Sequence, residues 1–445
     1  MFDKFFKLKE HGTDKKTEMM AGLTTFLTMA YIIFVNPDIL KDAGMNPDAV
    51  MTVTILAAAF GTFLVGFWAN VPLAMAPGMG LNAFFAYSLV IGKVVDSWQT
   101  ALGVVFFSGI FFLVITLLGI REKIINAIPV SLRLSVAAGI GLFITFIGLT
   151  KMGVVANSEA TLVHLGQFSI PLLLSLIGLI TIAALEVRKV KGSILIGILL
   201  VTILAIVTGQ QEFPELSTLV STPPSIEPIF WKINFGQAFS FGLMSAAFSF
   251  MFVDLFDSIG TIMACAHNAG MVDEEGNIQK VDKILEADAI ATVVGACMGT
   301  STTTTYIESG SGIAAGGRTG LTSITVAVLF LLCLFFTGVI GIVPAYATAP
   351  ALVMVGIHMF RNVKEIDFKD IEVAIPSFLT IIIMPLTYNI SLGIAFGFIS
   401  YIIISVASGD RKKICPTMWV IGLLSLIQLS IEWKVVDFVS NLFKN

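Results

Sequence analysis

Apolar residues recur along the chain in runs of about 17 residues or more, split by short polar connections, and a run of that length can cross a bilayer as a helix. The pattern predicts helices near 19–40, 50–69, 72–92, 99–120, 131–150, 169–187 and 192–209. A polar connection at 210–237, rich in Pro, Ser and Glu, follows. A second set is predicted near 240–266, 286–299, 302–317, 320–343, 345–360, 371–388 and 389–408. The apolar stretch 415–433 reads either as an interfacial helix or as one more crossing. The expected fold is an all-α polytopic membrane protein with fourteen spans, seven in each half.

Composition and charge sharpen this reading. Of the 445 residues, 56% are AVILMFWYC and 13% are charged, more apolar surface than a soluble domain can hide. With the N-terminus cytosolic and 415–433 not crossing, all of the 26 Lys and Arg fall on the inner side except Lys41, Lys93, Lys151 and Lys232, as the positive-inside rule requires. Dropping any one span would scramble that split. The expected placement is therefore the inner cell membrane with both termini cytosolic. The divisions are a cytosolic start at 1–18, a first repeat at 19–209, an external loop at 210–237, a second repeat at 238–408 and a C-terminal segment at 409–445. Phe2, Phe5 and Phe6 among the first lysines suit either a short interfacial helix or a frayed terminus.

Seven spans per half make the second half enter from the opposite side, the arrangement of inverted repeats in secondary transporters. Asp48-Ala49-Val50 matches Asp288-Ala289-Ile290 at an offset of 240, and Gly78 through Ala83 matches Gly310 through Ala315 at an offset of 232, both as G-x-G-x-x-A. Neither copy follows a soluble strand, so a dinucleotide fingerprint is excluded. The segments before them, Asn70 through Pro77 and Ser301 through Tyr306, avoid helix. Irregular backbone at membrane depth is tolerated only where protein or water satisfies it, so spans 3 and 10 are expected to be broken. Each would start a half-helix mid-membrane, with its N-terminal N–H groups facing a ligand.

Several function classes drop out. Thirty Asp and Glu against 26 Lys and Arg leave no basic excess for nucleic acid. Cys265, Cys297, Cys333 and Cys415 are scattered and read as small apolar residues. The histidines lie outside any H-E-x-x-H, and no G-x-S-x-G or Walker loop is present, so neither an enzyme nor an ATP-driven pump is indicated, and no cofactor or metal is expected. The loop 273–277 lacks the ligand spacing of a calcium site and reads as a solvated cytosolic turn.

Charges inside spans are costly and mark function. Asp254 and Asp257, three apart on one predicted helix, and Glu308, just before Gly310, stand out, with no Lys or Arg deep enough to pair with all three. Such carboxylates suit proton carriage; Asp254 suits equally a protonated hydrogen-bond donor between helices. Sodium is the alternative coupling ion, since an acid beside the carbonyls of a broken helix also fits Na⁺.

Three motifs, Ala76-Pro77-Gly78-Met79-Gly80-Leu81-Asn82-Ala83-Phe84-Phe85, Asp254-Leu255-Phe256-Asp257-Ser258-Ile259-Gly260-Thr261 and Thr302 through Gly310, together with Glu18 through Phe26 and Asn36-Pro37, resemble the AzgA-like purine permeases over essentially the whole chain. That group shares the uracil-permease fold. The resemblance implies a core domain from spans 1–4 and 8–11, a gate domain from spans 5–7 and 12–14, and proton-coupled import of guanine, hypoxanthine or adenine. It also implies substrate contacts at Asp257, Glu308 and Asn82. Thr261 stands where uracil permeases carry histidine, which weakens a pyrimidine reading.

One ionised carboxylate accepts both N1–H and N2–H₂ of guanine, hypoxanthine keeps only the N1–H, and adenine instead offers an N1 acceptor that favours a protonated carboxyl. Glu308 is therefore expected to read the purine edge, and Asp257 to touch the ring or carry the proton. Gly80 and Ser309 stand in the two broken segments beside these groups, and Phe84 or Phe85 would stack on the base. The competing readings are an anion transporter of the sulfate-permease type, which binds its ligand without nearby carboxylates, and a channel. Beyond substrate and lipid, the expected partner is a second copy docked through the gate helices.

Overall fold

The computed structural model describes residues 5–120, 127–212, 220, 222–272, 278–409, 411 and 414–433. Several expected features lie outside them, among them Phe2, Arg121, Lys123, the loop 273–277, Lys412, Lys413, Lys434 and Lys444. The fold is helical, as the apolar pattern implies. Its first half comprises α1 (Lys15–Met29), α2 (Ile32–Asp42), α3 (Pro47–Trp68), a short strand β1 (Met75–Pro77), α4 (Met79–Ala83) running on as a π-helix over Phe84–Ile91, α5 (Trp98–Leu117), α6 (Val130–Lys151), a hairpin of β2 (Val155–Ser158) and β3 (Leu162–Leu165), α7 (Ile170–Val187) and α8 (Ser193–Val207). The second comprises α9 (Phe241–Ala269), α10 (Val281–Met298), β4 (Thr303–Thr305), α11 (Ser309–Ala314), α12 (Gly320–Cys333), α13 (Ala345–Phe360), α14 (Ile371–Thr387) and α15 (Ile390–Ala407), followed by α16 (Pro416–Glu432).

Among the described residues, eight helical stretches are long and apolar enough to cross a bilayer, and shorter apolar helices accompany them at Met79–Ile91, Ser193–Val207, Ile371–Thr387 and Pro416–Ile427. Helix starts are set locally. Asn46 accepts from the Ala49 amide at 3.0 Å ahead of Pro47, and Asp14, Ser97, Ser169 and Asn389 cap their helices in the same way. Gly270 and Gly299, at φ 69° and 105°, end α9 and α10 in the left-handed region that glycine reaches without strain.

The chain departs from its expected start. Helix α1 begins at Lys15, so Glu18 lies inside it, fully buried. Its carboxylate accepts from the amides of Arg318 at 2.9 Å, Thr319 at 3.3 Å and Thr322 at 3.1 Å, which satisfies the open N-terminus of α12. Phe6 packs with Leu8 and Leu321, so the residues just before α1 are tied to the helices rather than frayed.

Helix packing sorts the elements into two groups. In one, α3 lies against α12 and α10, α5 against α10 and α9, and α1 against α12 and α11. In the other, α6 lies against α13 and α14, α7 against α8 and α13, and α15 against α14 and α16. The groups meet where α2 touches α13, α4 touches α6 and α1 touches α8. At the first of these, Lys151 at the end of α6 pairs with Asp38 at 2.8 Å and Asp42 at 2.9 Å, while the Tyr87 hydroxyl donates to Asp42 at 2.6 Å and Thr348 to Asp38 at 3.2 Å.

Candidate functional site

The two broken segments meet. Strand β1 pairs antiparallel with β4 in the register Met75↔Thr305, Ala76↔Thr304 and Pro77↔Thr303. The ladder continues at both ends through the Tyr306 amide to Ala74 O at 2.9 Å and the Gly78 amide to Thr302 O at 3.0 Å. Each strand satisfies the other's backbone, which is what permits extended chain inside an apolar body.

A threonine from the preceding helix holds each strand. The Thr62 hydroxyl donates to Met75 O at 2.9 Å and accepts from the Met75 amide at 2.9 Å. In the second half the Thr292 hydroxyl does the same to Thr303, at 3.2 and 3.3 Å. This pair corrects the register of the internal repeat. Thr62 corresponds to Thr292 at an offset of 230, and Met75 to Thr303 at 228, rather than the 240 and 232 suggested by the short sequence matches. The matched Asp48 and Asp288 are consequently not equivalent: Asp48 is exposed at the start of α3, whereas Asp288 lies fully buried within α10.

The carboxylates gather on the second-half side. Glu308 stands at the N-terminal cap of α11, half-buried, and its Oε1 accepts a hydrogen bond from the hydroxyl of Tyr31, which is fully buried at the turn between α1 and α2. Asp257 on α9, also half-buried, lies within electrostatic reach of Glu308. Beside them there is room. A Cβ on Gly260 would meet nothing within 4 Å, and one on Gly310 would meet only the Cys265 sulfur at 4.0 Å. Met263 and Ile307, 58% and 52% exposed, flank the same face, so the two acids border open space.

Asp254 faces the other way. It is buried against α10, accepting from Thr292 at 3.2 Å. Asp288 accepts from Ser258, and from Thr305 at 3.3 Å. Each of these two aspartates keeps one buried oxygen without a partner, and among the described residues no Lys or Arg forms an ion pair with any of the four acids. The spacing of three therefore does not turn Asp254 and Asp257 to one surface: one looks into the helix packing, the other toward the space beside Glu308.

The first-half candidates take different positions. Asn82, on α4, is fully buried; its Oδ1 accepts from Ser301 and its Nδ2 has no partner. Gly80 marks a close approach to α6, since a Cβ there would lie 2.7 Å from the Ile140 side chain. Phe84 is buried with its ring stacked on Phe250, centroids 4.2 Å apart and planes within 9°. Ser309 accepts from the Ala74 amide at 3.0 Å, tying α11 to the start of β1. The structure thus brings Asp257, Glu308 and Ser309 close to the strand pair, and gives Gly80 and Phe84 packing partners of their own.

Two participants escaped the reading of the sequence. Asp288 carried a signal, an acid in the apolar run Ala287 through Ala291, but the run itself suggests a span beginning at 286 and leaves the acid at its edge. Helix α10 begins five residues earlier, which carries Asp288 inside. Tyr31 carried no signal, because a tyrosine within an apolar helix does not announce the carboxylate it will meet 277 residues later.

Comparison with known proteins decides the family. The model of the Permease family (Xan_ur_permease) matches residues 16–396. The chain belongs to this family. It is 41% identical to the adenine permease AdeP of Escherichia coli K12, over 96% of each chain. It is 44% identical to the guanine/hypoxanthine permease PbuG of Bacillus subtilis, over 93% of this permease and 96% of that one. In fold it is similar to the transmembrane domain of the cyanobacterial bicarbonate transporter BicA, with a TM-score of 0.61 and 16% identity over 87% of this chain and 97% of the other. The permease is a multi-pass membrane protein whose two broken segments pair through β1 and β4.

Proposed function

We propose that this permease imports purine nucleobases, guanine and hypoxanthine foremost with adenine as a further candidate, by proton symport, and that it is a transporter and not an enzyme. The observation that carries the reading is the pair of half-buried carboxylates, Asp257 and Glu308, facing open space beside two paired broken helices. Relatives named for adenine and for guanine and hypoxanthine support it.

In this reading Glu308 accepts the N1–H of a 6-oxopurine, and for guanine the N2–H₂ as well, as charge-assisted hydrogen bonds. The unpartnered amide of Asn82 is a donor that a ligand or an ordered water would complete. Asp257 carries the coupling proton or touches the ring. The group built on α3, α10 and α12 is the moving core, and the group built on α6, α13 and α14 is the gate, so alternating access is a shift of one against the other. Fourteen crossings, cytosolic termini, placement in the inner membrane and dimerisation through the gate belong to the same reading. An anion transporter of the sulfate-permease kind shares the fold, but two uncompensated carboxylates at the ligand position oppose an anion.

The test is uptake of labelled hypoxanthine by cells lacking their own purine permeases, with guanine, adenine and uracil as competitors and an uncoupler in parallel. Saturable uptake blocked by guanine and by the uncoupler is expected. Accumulation that survives the uncoupler would remove the proton, and inhibition by uracil alone would remove the purine.

A further inference from the structure

Glu308 does not hold its position alone. Its Oε1 accepts from the Tyr31 hydroxyl, and Tyr31 is fully buried at the turn where α1 gives way to α2. The turn is itself anchored on both sides. Gly312 of α11 presses against α1, where a Cβ would lie 2.0 Å from the Thr25 hydroxyl, and Asn36 of α2 donates to Thr54 at 2.8 Å and to Thr300 at 3.0 Å. The hydroxyl therefore sits on a fixed frame that spans both halves of the chain.

A donor on Oε1 does two things to the carboxyl. It fixes the carboxyl plane, leaving Oε2 as the oxygen free of the tyrosine, and it engages the group as an acceptor. An acceptor matches the N1–H of guanine and hypoxanthine; at the same ring position adenine carries a bare nitrogen and needs a donor. We infer that Tyr31 is a positioning residue for substrate choice: through Glu308 it sets the site for 6-oxopurines against adenine. The inference rests on Glu308 as the purine-reading group.

The experiment compares wild type, Tyr31→Phe, Glu308→Gln and the double variant. Uptake of labelled hypoxanthine and its inhibition by adenine are measured in permease-deficient cells, with the amount of protein in the membrane quantified. Ligand-induced thermal shifts of the purified proteins with each base provide a readout independent of transport. Wild type is expected to prefer hypoxanthine, and Tyr31→Phe, present in normal amount, to lower that preference about tenfold, the scale of one hydrogen bond to a charged group. In the Glu308→Gln background the second substitution should change the preference no further. Tyr401→Phe serves as the control, since that tyrosine lies on α15 in the other helix group, away from the strand pair and its acids, and its preference should match wild type. A wild type that prefers adenine, an unchanged preference in Tyr31→Phe, or an equal shift with and without Glu308 would each overturn the inference. Undiminished hypoxanthine uptake by Glu308→Gln alone would instead overturn the role of Glu308, and the two failures are told apart by that variant.

Discussion

The two broken segments share one frame and differ in chemistry. Both run helix, threonine, strand, half-helix, and both strands are gripped by the preceding helix through a hydroxyl that donates and accepts at once. Around β1 the side chains are apolar or neutral: Met75, Ala76, Pro77, Asn82 and Phe84. Around β4 they are Thr303, Thr304, Thr305 and Glu308, backed by Asp254 and Asp288. In the register set by Thr62 and Thr292, the buried Asp288 falls opposite Ala58. A symmetric scaffold can thus carry an asymmetric load, with geometry from both halves and charge from one.

The largest effect that would break this comparison is loss of charge from the second half. Glu308→Gln is expected to lower hypoxanthine uptake on the order of a hundredfold at equal expression, since it removes the acceptor of charge-assisted bonds. Retained uptake would mean that charge is not what separates the halves.

Next come the threonines that hold the strands. Thr62→Val and Thr292→Val each release a strand from its hydroxyl, but the single Thr292 proton is shared between Thr303 O and Asp254, so the second also takes a partner from a buried carboxyl. Thermal unfolding of the purified protein should place the cost of Thr292→Val at about 3 kcal/mol and that of Thr62→Val at about 1–2 kcal/mol. Equal costs would show that Asp254 draws nothing from Thr292.

The glycines offer a contrast of space, with a smaller cost at each position. A Cβ on Gly78 would lie 2.6 Å from the Thr304 side chain, whereas one on Gly310 has the Cys265 sulfur as its nearest neighbour at 4.0 Å. Gly78→Ala should destabilise by about 2 kcal/mol as overpacking does, and Gly310→Ala should leave stability within about 0.5 kcal/mol. Because its methyl enters the open side of the site, Gly310→Ala should nonetheless raise the hypoxanthine KM. Tyr306→Phe falls between these two, at about 1 kcal/mol for a single bond to Pro77 O, read by the same unfolding measurement.

Much of this was legible in the sequence for reasons that can be named. Pro72, Pro77 and the run Thr302 through Thr305 forbid a continuous helix, so the breaks show in the residues themselves. Asp257 and Glu308 show because charge is rare in an apolar span. The strand pairing does not show, because a ladder of three residues per strand has no periodicity to read and its partner lies 228 residues away. The repeat register was obscured for a related reason. The glycine pattern is shared by any two close-packed half-helices, whereas the true correspondence rests on Thr62 and Thr292, two threonines among many. Phe84 illustrates a further limit, since an aromatic beside a substrate motif reads as a stacking platform until Phe250 is found lying on it.

The β1–β4 ladder also bears on how the protein comes into being. A membrane chain is made and inserted from its N-terminus, yet Met75 finds its partner only at Thr305, after α5 to α10 have been placed between them. Until then the carbonyls and amides of β1 depend on Thr62 and on water for their hydrogen bonds. The strand pair is therefore among the last parts of the molecule to assemble. A chain arrested before Thr303 holds helices but no strand pair, and the first half waits, its broken strand held by Thr62 and water, for the second to arrive.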